Sequence, residues 1–260
     1  ADDAYRIKAN NREYYSSGIQ AVFNVLAGDH DIQAGLRIHS DEMDRFQWED
    51  RYGMQSGQLV MTTQATKGSD SNRIDSAEAT ALFVEDRFTT GAMTITAGAR
   101  YEEITVKRDD WGKTDPDRSE IPSKREHTID VVVPGIGIEY AINESQTVSV
   151  GIHKGFAPPG PGTSGVTDKA VDPETSMNTE IGFKSNKGLN SLEFTLFMNS
   201  YDNLLGADTA ASGGGSDELF NGGAVDISGF ELYLRRILVD NGRIQMPLEL
   251  SWTSTNSEFQ

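Results

Sequence analysis

In TVSVGIHKGFAPPGPGTSGVTDKAVDPETSMNTEIGFKS, residues 147–185, two alternating runs flank a stretch that no regular element tolerates. Val148, Val150 and Ile152 take one parity and Ser149, Gly151 and His153 the other, a period of two that gives a strand with one apolar face. Residues 157–172 are rich in Pro, Gly, Ser and Thr and read as a loop. Over 176–185, Thr179, Ile181 and Phe183 alternate with Asn178, Glu180, Gly182 and Lys184, a second strand.

The same unit recurs on both sides. Upstream, Ile19, Ala21, Phe23 and Val25 alternate with polar neighbours, Gly28-Asp29-His30 turns, and Ile32, Ala34, Leu36 and Ile38 alternate out to Phe46 and Trp48. Residues 1–11 carry no pattern and 49–73 read as a long polar loop. Strands are predicted over 76–88 and from Met93 to Glu102 around a turn at Thr89-Thr90-Gly91, followed by a charged loop over 108–126. Val132, Pro134, Ile136, Ile138, Tyr140 and Ile142 form the next strand, and Asn143–Gln146 turns back into the opening stretch. Downstream, Asn186-Lys187-Gly188 turns into a strand with Leu192, Phe194, Leu196 and Met198 on one face. A loop over 204–224 precedes two strands, one carrying Phe230, Leu232 and Leu234 and the other Ile244 to Trp252, with a two-residue hairpin signal at Asp240-Asn241-Gly242. The sum is about ten antiparallel strands in five hairpins.

Three physical features point to a membrane. Short turns alternate with loops of roughly fifteen to twenty-five residues, the asymmetry of an outer-membrane barrel. The strands reach the ~9–11 residues that a tilted transmembrane strand needs, where soluble sandwiches more often use ~5–6. One face is Leu, Ile, Val, Phe and Ala, ending in aromatics (Phe46, Trp48, Tyr101, Tyr140, Trp252) placed for an interfacial girdle. The other carries Arg37, Arg100, Glu139, Glu180, Lys184, Glu193, Glu231, Arg235 and Glu249 at strand centres, where charges require water or partners. Gly35, Gly98, Gly137, Gly182 and Gly229 beside them leave room for long side chains to pair.

The composition narrows the function. With 260 residues and a net charge of −17 the chain is no nucleic-acid binder. With 0 Cys it has no disulfide framework, thiolate metal site or Cys nucleophile. No apolar run reaches 18 residues, which excludes a transmembrane helix but not a barrel. No leader is visible at Ala1, so it has been removed or the chain starts within a longer protein.

Gly155, Phe156, Pro158 and Pro159, followed by Pro173, Glu174, Asn178, Glu180 and Gly182, resemble a signature of TonB-dependent outer-membrane receptors, a Gly-Phe-x-x-Pro segment leading to Pro-Glu-x-x-x-Asn-x-Glu-x-Gly. The runs SLEFTLFMNSYDNLLG (191–206) and FNGGAVDISGFEL (220–232) resemble the strands that follow it. Within the family the likeness is greatest to ferric-dicitrate-type receptors, and it extends from about residue 12 to the C-terminus. It implies an all-β, antiparallel up-and-down transmembrane barrel in the bacterial outer membrane. Residues 1–260 would be a partial receptor barrel, about ten of 22 strands, without the N-terminal plug and the C-terminal strands. Ser257-Glu258-Phe259-Gln260 is expected to lie in a loop instead of ending the barrel on an aromatic. The resemblance implies a receptor, not an enzyme, with no cofactor. Its partners would be lipid and lipopolysaccharide, a transported ferric chelate (siderophore or ferric citrate), and TonB acting through the missing plug.

Candidate ligand residues follow from the anionic nature of such chelates. Arg37, Arg45 and Arg51 lie near an outer loop, and Arg forks bind carboxylates in bidentate fashion; His39 and His153 fall on the polar face. Against this, Asp41, Glu42, Asp44 and Asp50 are neighbours able to consume those arginines, and a lone His is more often polar filling than a ligand. His30, His39, His127 and His153 show no zinc spacing. Gly160 to Gly165 matches a dinucleotide fingerprint only on paper, since Pro161 interrupts it and no helix follows. The acidic stretches 69–75 and 109–120 lack the spacing of a calcium loop and read as solvated loops. No hydrolase elbow, P-loop or His-Glu-x-x-His is present. Two other readings fit the strand pattern: a self-standing ten-stranded outer-membrane barrel acting as channel, adhesin or surface protease, and a soluble acidic carbohydrate-binding β-sandwich.

Overall fold

The computed structural model describes residues 4–158, 172–207, 219–221 and 223–260. Among them the chain forms β1 (Tyr5–Ala9), β2 (Arg12–Ala27), β3 (His30–Gln55), β4 (Gln58–Thr63), β5 (Ser71–Thr90), β6 (Met93–Asp110), β7 (Ser123–Asn143) and β8 (Gln146–Ala157). Then come β9 (Glu174–Lys187), β10 (Asn190–Asp202), β11 (Leu205–Ala207), β12 (Leu219–Asn221), β13 (Val225–Asp240) and β14 (Gln245–Phe259). The ten expected strands are β2, β3, β5 to β10, β13 and β14, each pairing antiparallel with its neighbour in chain order. Short turns at one end alternate with long connections at the other, as the sequence pattern predicts. At the first turn Gly28 has φ +64°, the left-handed backbone that Gly adopts without strain.

Several boundaries differ from the sequence reading. Residues 1–11 contain a strand: β1 pairs with β3 from Tyr5↔Tyr52 to Ala9↔Trp48. Five alternating residues are too few to read alone, and the partner that decides the pairing lies some forty positions away. Most of 49–73 is not a loop. β3 runs to Gln55, turns at Ser56 and Gly57 (φ +49° and +80°) and returns as β4. Two positive φ values make this a two-residue hairpin turn. The loop after β6 shrinks to 111–122. Residues 254–259 continue β14 instead of forming a loop. Between β13 and β14 the turn is longer than the two residues signalled. Asn241 Oδ1 accepts the N–H groups of Arg243 (3.1 Å) and Ile244 (2.8 Å), and the register slips between Ile237 and Val239. Pro247, which has no N–H for the ladder, sits opposite Ile237 at that slip.

The apolar parity forms continuous cross-strand rows. One runs Ile138, Val150, Ile181, Leu196, Phe230; another Tyr140, Val148, Phe183, Phe194, Leu232, Trp252. No second layer covers them: Val150, Ile181 and Leu196 are 45%, 54% and 45% exposed. The accessible surface is 16897 Å², against about 11,000 Å² for a soluble globule of this mass. The β-sandwich reading is overturned: the ten strands lie in one uncovered layer, and β11 and β12 pair only with each other. The self-standing barrel reading fails as well, because β2 and β14, the flanking strands, do not pair and the sheet stays open. From Val132 to Tyr140 the apolar band of β7 is about 26 Å along the strand at 3.3 Å per residue, close to the ~25 Å of a membrane band.

The buried core lies on the opposite face. Ala79, Ala81, Ile104, Val106, Ile129 and Val131 are buried there, and Phe156 packs on the cluster of Ala79, Ile104 and Val106. Ile129 to Val133 is apolar in both parities apart from Asp130, the composition of a strand covered on both sides. Pairing of β7 with β8 stops at Gly135↔His153, which frees the end of β8 to carry Phe156 onto that core.

Candidate functional site

The polar face changes character along the strands. Near the short turns it carries cross-strand ion pairs, Lys184 with Glu193 (3.0 Å), Arg235 with Glu249 (3.5 Å) and Arg87 with Glu139 (3.8 Å). These are exposed and individually worth little. Further along lies a strip with almost no side chains: Gly98 faces Gly135 and Gly137 faces Gly151. A Cβ added at Gly137 or Gly151 would meet nothing nearer than 3.8 and 3.9 Å. The strip floors a depression of about 500 Å³ edged by Phe83, Glu85, Arg100 and His153.

Not every glycine on this face makes room for charge. The Phe83 ring lies over Gly35 and the Phe197 ring over Gly229, filling the space a side chain would take. The Arg100 guanidinium then sits 5.6 Å from the Phe83 centroid and pairs with Glu102. Aromatic coverage, which the sequence reading did not foresee, explains why these two Phe residues occupy polar-parity positions.

Towards the long connections the wall becomes rich in arginine. Arg45 of β3 directly faces Arg73 of β5, and Arg108 of β6 directly faces Arg125 of β7. Asp75 lies between the two pairs, 4% exposed, bonded by Arg108 (Nη2 to Oδ2 3.1 Å) and by Arg73 (Nε to Oδ2 3.2 Å). Arg45 donates Nε to the neutral amide of Gln47 (2.8 Å), which is itself fully buried and bonded to Asn10. Like charges directly opposite in a ladder are unfavourable, and among the described residues Arg45 has no carboxylate within ion-pair distance. Of the Arg45–Arg73 pair, only Arg73 is thus paired with a carboxylate, that of Asp75.

Behind this patch, on the apolar-parity side beyond the apolar band, loop 111–122 is clasped to the strands. Arg118 donates Nη1 and Nη2 to Asp44 (2.8 and 2.6 Å) and Nε to Asn72 Oδ1 (2.7 Å). Its guanidinium lies 5.3 Å from the Phe46 centroid and 4.8 Å from that of Trp111. Bonding to Asp44 raises the Arg118 pKa above its ordinary value. Asp115 accepts the N–H groups of Glu120 (3.0 Å) and Ser119 (3.1 Å) and the Ser119 hydroxyl (3.1 Å), which hold its carboxyl below the usual range. Phe46 and Trp48 thus differ from the girdle expected of them: Phe46 sits under Arg118, and the Lys67 ammonium lies 5.6 Å from the Trp48 ring. They stand about 56–63 Å along β3 from its turn at 3.3 Å per residue, well past a membrane band.

The five ligand candidates do not converge. Arg37 lies on the polar face opposite Ala81, about 26 Å along β3 from Arg45, and Arg51 is about 20 Å beyond Arg45 in the outer extension. His39 Nε2 is 3.4 Å from Asp41, and His153 faces Gly135 beside the glycine strip. Arg73, Arg108, Arg125 and Arg118 escaped the sequence reading because they sat in stretches read as loops. Extending the alternation of β5 back through Asp75, of β6 forward past Val106 and of β7 back past His127 would have placed the first three on the wall. The acidic stretches are engaged internally, Asp70 with Lys8 (2.6 Å) and Asp109 with Lys124 (3.3 Å). Among the described residues no cluster of three or more His, Asp or Glu is arranged to hold a metal.

The signature segment forms two facing arms of β8 and β9. Gly155 pairs with Ser176, and Glu174 opposite Ala157 opens β9. Asn178 faces His153 and donates Nδ2 to Ser176 Oγ (3.0 Å), Glu180 faces Gly151, and Gly182 faces Ser149. Pro158 and Pro173 flank the connection, while Pro159 and the Gly160–Gly165 fingerprint lie outside the described residues. The family described as TonB dependent receptor-like, beta-barrel matches residues 2–258. The chain belongs to that family. The receptor FyuA of Yersinia pestis, a ferric yersiniabactin uptake receptor, is 16% identical with a TM-score of 0.72 over 98% of this chain and 37% of its own. The ferric citrate transporter FecA is 20% identical with a TM-score of 0.74 over the same shares, 98% and 37%. The siderophore receptor PiuA of Acinetobacter baumannii is 15% identical with a TM-score of 0.70, over 98% and 39%. No curated protein matches in sequence. The chain thus spans about two fifths of the length of these receptors, as part of a larger barrel. TonB-dependent receptors reside in the outer membrane of Gram-negative bacteria and are receptors and transporters rather than enzymes. The apolar parity of this barrel wall accordingly faces lipid, and the polar parity lines the lumen.

Proposed function

We propose that this chain forms part of the wall of a receptor that imports an anionic ferric chelate, a siderophore or ferric citrate, with energy from TonB delivered through a plug outside the chain. The Arg45–Arg73 pair on the lumen wall carries this reading. Two forks held side by side suit carboxylate oxygens, and the FyuA, FecA and PiuA receptors each handle iron chelates. Arg108 and Arg125 extend the patch. Arg37, His39 and His153 lie nearer the periplasmic turns on the same wall, where the ligand would pass after leaving the arginines, and Arg51 lies outside them. Outer-membrane lipid and lipopolysaccharide meet the opposite face. No covalent chemistry is involved.

The test is ferric citrate binding to the full-length receptor with Arg45→Gln and Arg73→Gln. Each substitution is expected to raise Kd by about tenfold or more, as expected for a lost charge-assisted bond. Unchanged affinity in both variants removes the reading.

A further inference from the structure

We propose that Arg118 is a positioning residue for that anion patch: from outside the wall it fixes the spacing of β3 and β5 at the register where Arg45 and Arg73 face one another. The inference rests on the receptor reading above. Asp44, Arg45 and Phe46 of β3 lie opposite Ile74, Arg73 and Asn72 of β5. Alternation sends Asp44, Phe46 and Asn72 to one side and the two arginines to the other. A single guanidinium therefore bonds both strands, through Asp44 and through Asn72, directly behind the two guanidiniums whose repulsion tends to part them. Asn72 is 2% exposed, and its Nδ2 donates to the Asp115 carbonyl (2.6 Å), so loop 111–122 holds the acceptor that Arg118 uses. Arg118 has φ +52°, a left-handed backbone uncommon for a residue with a side chain and maintained here by the surrounding bonds. A planar fork reaches the two Asp44 oxygens and Asn72 Oδ1 while lying against two aromatic rings, a geometry that the tetrahedral ammonium of Lys does not reproduce.

Ferric citrate binding to the full-length receptor, with Arg118→Lys, Arg73→Gln and the double variant, tests this by a double-mutant cycle. Heat-modifiable migration confirms that each barrel is assembled. Arg118→Lys is expected to raise Kd by about tenfold, mainly through faster dissociation. In the Arg73→Gln background it is expected to add less than about twofold, because the pair it positions is already gone. Unchanged Kd for Arg118→Lys, or losses that multiply in the double variant, overturn the proposal while leaving the arginine patch standing. Unchanged affinity in both Arg73→Gln and Arg45→Gln removes the patch itself and this inference with it. Should Arg118→Lys not assemble, Asp44→Asn removes the charged partner from β3 and carries the same expectations.

Discussion

At the scale of single residues, glycines on the lumen wall do two different jobs. At Gly229 a Cβ would run into the carbonyl oxygen of Ser254 and the Phe197 ring; at Gly137 it would make only an ordinary contact with the Val150 carbonyl oxygen at 3.8 Å. Gly229→Ala is therefore expected to destabilise the folded receptor by about 1–3 kcal/mol, as overpacking does. Gly137→Ala should be neutral or stabilise it by up to about 1 kcal/mol by restricting the unfolded chain. Urea midpoints of the two variants in detergent check this; equal midpoints would count against the close approach at Gly229. The sequence reading placed both glycines on the right face but assigned them one role. What separates them is a ring on β10, brought across the ladder by a register that no local pattern encodes.

At the scale of elements, strand centres were legible and strand ends were not. Ile32 to Ile38 and Val148 to Ile152 announce themselves by period, because lipid on one side and water on the other enforce strict alternation. Above the band both faces meet water or protein, the alternation loosens, and β3 continues to Gln55 through residues that read as a loop. The Ser56-Gly57 dipeptide was the one local signal for its return. Loop 111–122 yields a pH prediction. Asp115 is held below its ordinary pKa of 3.8 by the Glu120 and Ser119 N–H groups and the Ser119 hydroxyl, and Asp70 by Lys8. For depressed carboxyls the stabilisation is complete above 3.8 and is lost as pH falls through the lowered values. The emission of Trp111, taken as the difference from a Trp111→Phe variant, should shift to the red only as pH falls below 3.8 and stay constant at neutral pH. A shift at neutral pH, or none in acid, speaks against the clasp.

For the whole molecule, the decisive property is that one layer serves two solvents. Ile136 lies in the middle of the lipid band, four residues from both Val132 and Tyr140, and is 47% exposed in the isolated sheet. Ile136→Arg is expected to cost about 2–4 kcal/mol in a lipid bilayer, and Thr195→Arg, on the lumen parity, much less. Folding titrations into lipid vesicles measure both, and similar costs would show that the faces have been exchanged. This two-sidedness was readable without coordinates, whereas the arginine patch needed the strands placed side by side. The bare strip between Gly98 and Gly151 has a further consequence. Backbone atoms alone set its relief, so it has no rotamers to rearrange and no ionisable group of its own. On the proposed reading, rising ionic strength should therefore loosen the hold of the Arg45–Arg73 pair on an anion while the strip itself keeps its shape.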